Sequence, residues 1–105
     1  MIRIPTQQLP NQEFSVVLDG QNCVINIRQQ GAFMYLTLTA DRQKICDAHV
    51  CQNATAIPVW NTPTFKGRLF FVDTGGGQNA PRYEELGDRF ELYYATEEEW
   101  LQLTR

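Results

Sequence analysis

Residues 66–95 read KGRLFFVDTGGGQNAPRYEELGDRFELYYA, and the fold turns on how this stretch is parsed. Arg68, Phe70 and Val72 alternate with Leu69, Phe71 and Asp73, while Phe90, Leu92 and Tyr94 alternate with Arg89, Glu91, Tyr93 and Ala95. Successive side chains of a strand leave on opposite sides, so each half reads as one strand with two distinct faces. Between the halves stand Gly75, Gly76, Gly77, Asn79, Pro81 and Gly87, which stop either strand from running on. The stretch therefore predicts a paired hairpin with a long, exposed, glycine-rich loop.

Upstream, the same period recurs. Phe14, Val16 and Leu18 alternate with Ser15 and Val17, Asp19-Gly20 supplies a turn, and Cys23, Ile25 and Ile27 alternate on the return, with Gln21 and Asn22 available to widen the connection. Gly31 marks the next turn. Residues 32–40, AFMYLTLTA, put Met34, Leu36 and Leu38 on one face and Phe33, Tyr35, Thr37 and Thr39 on the other, a β-branched and aromatic mix that favours a strand. Asp41-Arg42 is another tight turn, and Lys44 to Cys51 reads as a strand with Ile45, Asp47 and His49 opposing Cys46, Ala48 and Val50. Met1 to Ile4 forms a short edge strand before Pro5. From Gln52 to Phe65, Pro58 and Pro63 remove two ladder donors, so Ala56-Ile57 and Val59-Trp60 belong to an edge strand or an irregular loop carrying an exposed aromatic. Thr96 and Glu99 have capping-box spacing, which opens a helix from Glu97 to Leu103 with Trp100, Leu101 and Leu103 as its apolar contacts. About six short strands punctuated by turns specify an all-β class, a small antiparallel β-sandwich or barrel-like single domain over residues 1–105 with a short C-terminal helix.

The chain's 105 residues can bury roughly two thirds of the unfolded surface, enough for one core without disulfide or metal. A net charge of −3 with nine scattered basic residues gives no footprint for a phosphate backbone, so no sequence-specific nucleic-acid contact is expected. Glu84, Glu85, Asp88, Glu91, Glu97, Glu98 and Glu99 crowd the last quarter, which then faces water or a basic partner. No apolar run reaches the length of a membrane span or signal peptide, so no membrane association and a cytoplasmic origin are expected, with three reduced thiols rather than a disulfide framework. Under that expectation the Asn53-Ala54-Thr55 sequon is a chance match.

Three groups of residues invite a chemical reading. Asp73-Thr74-Gly75 after a hydrophobic strand resembles the active-site turn of aspartic proteases, whose retroviral branch dimerises so that two carboxylates share a proton. Only thirty residues follow Gly75, however, leaving no sequence for the flap and second glycine element of that family. The plainer alternative is a strand ending in a turn. Cys46, His49 and Cys51, with Cys23 as a fourth, are zinc-ligand types and suggest a small metal-binding β-barrel. Strict strand alternation places Cys46 opposite His49 and Cys51, so convergence needs a bulge, and buried thiols beside a hydrogen-bonded histidine are the plainer alternative. Gly75-Gly76-Gly77 is followed by Gln78-Asn79-Ala80-Pro81 rather than by a helix, so positive backbone angles explain it better than a phosphate cradle. A single histidine and no Gly-x-Ser-x-Gly turn leave no assembled nucleophile, and no catalytic residue, metal or cofactor is expected.

Three blocks in register carry a wider resemblance. They are IPTQQLPNQEFSVVLDGQNCVINIRQ, MYLTLTADRQKICDAHVCQNATAI, and GRLFFVDTGGGQNAPRYEELGDRFELYYA with its Asp73-Thr74, Pro81, Tyr83, Leu86-Gly87 and Arg89-Phe90-x-Leu92-x-Tyr94. Together they span nearly the whole chain, which resembles the baseplate plug proteins of contractile-tailed bacteriophages, a family known from a cyanophage-type baseplate. The resemblance implies a structural virion protein at the central hub, near the junction of tail tube and spike, made in the host cytoplasm and partnered by hub, spike and tail tube subunits, with no catalysis and no cofactor. Interface anchors are commonly aromatic, so Trp60, Phe65 and Tyr83 are the expected contact residues, with inward packing of Trp60 as the alternative.

Overall fold

Every turn foreseen between the first four long strands closes in the tightest way the chain allows. The computed structural model describes residues 1–58, 65–77 and 79–103. Asp19 and Gly20 both have positive φ (53° and 74°), as do Asp41 and Arg42 (47° and 69°). Two such residues match the right-handed twist of the strands they join. The first pair makes a two-residue turn, with Leu18 opposite Gln21. Gln21 and Asn22 therefore lie in the returning strand instead of widening the connection.

The strands are β1 (Ile2–Ile4), β2 (Asn11–Leu18), β3 (Gln21–Gln30), β4 (Phe33–Ala40), β5 (Gln43–Val50), β6 (Arg68–Asp73) and β7 (Phe90–Ala95), followed by helix α1 (Glu97–Leu103). They form two antiparallel sheets, one ordered β1-β7-β6 and the other β2-β3-β4-β5. The third principal extent, 20 Å, fits two stacked layers about 10 Å apart plus their outer side chains. The sandwich alternative is therefore the observed one.

The core lies between the layers. Ile25, Ile27, Met34, Leu36 and Leu38 of the larger sheet and Leu69, Phe71, Phe90, Leu92 and Tyr94 of the smaller one are almost wholly buried, joined by Ile4, Ile57, Phe65 and Leu86 from flanking segments. Alternation fails on the outer face of the smaller sheet, where Phe70 and Arg68 are buried too. There Phe70 stacks on Tyr93 at 5.9 Å and meets Trp100 of α1 at 5.4 Å, so the helix roofs that face. The capping box forms as read, Thr96 N–H to Glu99 Oε1 (2.9 Å) and Glu99 N–H to Thr96 Oγ1 (3.2 Å). Leu101 and Leu103, expected to pack with Trp100, are about half exposed, because a helix this short turns only one side toward the sheet.

Strand β5 departs from simple alternation. Ala40 pairs with Gln43 and Thr39 with Lys44, but Leu38 pairs with Cys46 and Leu36 with His49. The first shift leaves Ile45 without a partner, and the second forms a bulge at Asp47-Ala48, where Ala48 has φ 50° and its N–H donates to Thr37 Oγ1 at 3.0 Å. Beyond β5 the segment crosses to the other sheet. Ala54 N–H donates to Phe71 O, and Ile57 and Leu69 exchange backbone hydrogen bonds at 2.8 Å, so this piece covers the outer edge of β6. Val59, Trp60 and Pro63 lie outside the described residues. Among the described residues no helix is long and apolar enough to cross a membrane.

Candidate functional site

The predicted hairpin pairs Arg68 with Ala95 through Asp73 with Phe90, and its loop is drawn shut at the base. Asp73 occupies a core-facing position at the end of β6, where its carboxylate is withdrawn from solvent. Burying a charge is tolerable only with full pairing. Arg89, one residue before β7, supplies it with Nε to Oδ1 at 2.8 Å and Nη2 to Oδ2 at 2.9 Å, a bidentate fork. The backbone N–H groups of Gly75 (3.0 Å) and Asn79 (3.4 Å) complete the shell. Arg89 beside it, aided by these amides, holds the Asp73 carboxyl below the usual carboxylate range.

The same arginine also anchors the loop through its backbone. Both the N–H and the hydroxyl of Thr74 donate to Arg89 O at 2.7 Å, and Arg89 N–H donates to Glu85 O at 3.0 Å. The glycines have a steric reason. A Cβ at Gly75 would sit 3.1 Å from Arg89 Nε, pressing the guanidinium back by a few tenths of an ångström, and one at Gly77 only 2.8 Å from Asp73 Oδ2, so a side chain at Gly77 would force the ion pair to shift. The carboxylate that a protease dyad would share with a second copy is thus paired within its own chain.

The bulge in β5 reverses the expected geometry of the second group. It sets Cys46 and His49 across from the core-facing Leu38 and Leu36, on one side of the sheet rather than on opposite sides. Cys51 follows on that side, its N–H donating to Met34 O. Even so, among the described residues no three His, Cys, Asp or Glu side chains are grouped to hold a metal ion. His49 Nδ1 lies 2.9 Å from Val50 O, and the Cys51 thiol points at His49 O. Burial pushes the thiols of Cys23, Cys46 and Cys51 upward, most of all Cys51, so they stay protonated instead of offering thiolates.

Of the residues expected at contacts, Trp60 lies outside the described ones. Phe65 is fully buried, its ring 5.9 Å from that of Tyr94, because the end of the sandwich beside β6 needs a large apolar side chain to close it. Tyr83 opens a short 3-10 turn (Tyr83–Glu85) in the loop, half-buried against the core, with its N–H toward Gln29 Oε1 at 3.3 Å. Arg89 was missed as Asp73's partner. It lies sixteen residues downstream, and the only signal was an arginine next to a strand that pairs with the one ending in Asp73.

Fold and site together define a small antiparallel β-sandwich whose most elaborate polar cluster holds its own loop. The family model described as "Cyanophage baseplate Pam3 plug gp18" matches residues 1–98 of the 105, and the chain belongs to that family. No curated protein matches the chain.

Proposed function

We propose that this chain is a structural component of a phage tail baseplate, seated at the central hub near the junction of tail tube and spike, where it plugs or stabilises the assembly. Its partners are then hub, spike and tail tube subunits, and it is made in the host cytoplasm and carried in the virion tail. The observation that carries this reading is the family match over residues 1–98. The commitment of Asp73 to Arg89 supports it, since the most reactive-looking motif in the sequence serves the fold. The pairing of Asp73 with Arg89 also ties the two ends of the loop together before any neighbour binds.

Within this reading Tyr83 and Trp60 are the proposed contact residues, whereas Phe65 acts through the core it fills. The test uses phage carrying Trp60→Ala or Tyr83→Ala. An interface residue leaves the melting temperature of the purified chain within about 2 °C of wild type while tails fail to assemble or lose the chain. Normal assembly with both variants, or a melting loss that alone accounts for the defect, refutes the assignment.

A further inference from the structure

The two sheets have four outer edges, and three are closed or blunted. Residues 53–57 bridge to β6, β5 carries the bulge at Asp47-Ala48, and β1 is only three residues long. The fourth is β2, eight residues of unbroken register with β3 and with no proline or lysine within it. A regular edge of this length is a template for another strand.

The hydrogen-bonding parity of that edge can be read directly. Gln29 N–H donates to Pro10 O, and Pro10 and Gln29 continue the pairing of Asn11 with Arg28. Hydrogen-bonded pairs recur every second residue in an antiparallel ladder. Gln12, Phe14, Val16 and Leu18 therefore bond to β3, and Asn11, Glu13, Ser15 and Val17 direct their N–H and C=O groups outward. Among the described residues nothing meets those backbone groups. Val17 is 64% exposed, and Phe14 and Val16, on the core side, are only partly covered.

We infer that a second copy of this chain occupies this edge, β2 against β2 about a twofold axis at Phe14. In that register Asn11 faces Val17 and Glu13 faces Ser15, each pair occurring twice by symmetry, and all four use the outward-pointing groups. Gln12 faces Val16, and Phe14 meets its own symmetry mate in a pair that is not hydrogen-bonded, where Cα atoms approach to about 4.5 Å and aromatic pairing is favourable. The only ionisable side chain in β2, Glu13, then opposes a hydroxyl instead of a like charge. Two four-stranded sheets become one continuous eight-stranded sheet, and the half-open Phe14 and Val16 are covered.

The test is sedimentation of the purified full chain from micromolar to millimolar concentration. Wild type should show a monomer–dimer equilibrium. Residue 15 is exposed, so changing it leaves the fold intact, as an unchanged melting temperature will show. Ser15→Glu sets one carboxylate against Glu13 of the partner copy in each of the two symmetric pairs and should raise Kd about tenfold, whereas Ser15→Lys should lower it by a similar factor, both effects fading in high salt. Hydrogen exchange at Asn11, Glu13, Ser15 and Val17 should slow with concentration while that at Gln12 and Phe14 stays slow throughout. A wild-type chain that remains monomeric, or a dimer indifferent to the sign of charge at residue 15, overturns the inference. Protection of these amides only on adding other tail subunits also overturns it, by placing a foreign strand at the edge.

Discussion

Gly67→Ala is the sharpest probe of how the organising hairpin is packed. A Cβ built at Gly67 lies 2.6 Å from Tyr94 Cζ and closer still to Cε1 and Oη. Apolar atoms settle at about 3.5–4 Å, so the ring must retreat by about 1 Å. It has little room to do so, being 2% exposed and backed by Phe65. Gly67 is not among the residues with positive φ, so the backbone accepts alanine and the cost is purely one of space. Overpacking of this kind costs about 1–3 kcal/mol, which lowers the melting temperature of a domain this size by about 4–20 °C. Thermal unfolding followed by circular dichroism measures it, and a double-mutant cycle with Tyr94→Leu isolates the contact. Once the ring is gone, Gly67→Ala should cost less than about 0.5 kcal/mol. Equal melting of Gly67→Ala and wild type, or an equal cost with and without the Tyr94 ring, would rule out a clash between the new Cβ and that ring.

Other expectations follow from single groups. Tyr94 Oη is buried without a hydrogen-bond partner among the described residues, so Tyr94→Phe should be neutral or stabilise by about 1 kcal/mol, and a loss of that size contradicts it. Burial pushes the Tyr94 phenol up to about 12, above its unfolded value near 10. Its contribution to stability is therefore fully present below about pH 10 and is lost as pH rises toward 12, and spectrophotometric titration of wild type against Tyr94→Phe should show the missing ionisation only near the upper value. Asp73 has the opposite sign, with its folded value below the unfolded one. Asp73→Asn should lower the melting temperature at neutral pH, and the gap from wild type should close as pH falls below about 4; a gap that persists in acid rules out the paired carboxylate as its source. With Cys23, Cys46 and Cys51 buried and their thiols raised, a thiol reagent at mildly alkaline pH should label none promptly in the native chain and all three after unfolding. Prompt native labelling contradicts that burial.

The parts of this molecule that could be read in the sequence are those whose cause is local. Asp19-Gly20 and Asp41-Arg42 announce their turns, Thr96 and Glu99 announce the helix start, and period-two runs mark β2, β3, β4 and β7 with their core-facing sides. What could not be read depends on partners distant in sequence. The bulge at Ala48 exists because Thr37, on the neighbouring strand, captures its N–H, and it moves His49 to the side of Cys46 against strict alternation. The sequence marks Ala56-Ile57 as an edge strand or irregular loop, but not that Asn53 and Ile57 close the edge of β6 in particular. Asp73 looked like half of a reactive dyad because its neighbours in sequence say nothing of Arg89, and the three glycines suggested positive backbone angles, which only Gly76 among them adopts, because the ion pair that Gly75 and Gly77 wrap is tertiary.

Whether this sandwich is a building piece of the baseplate is decided by electron cryo-microscopy of intact tails from a phage that encodes the chain. The prediction is density at the baseplate centre, between tube and spike, that fits the β1-β7-β6 and β2-β3-β4-β5 layers with the Asp73–Arg89 loop closed. Tails complete at that position without this chain, together with its absence from purified particles by mass spectrometry, would contradict it.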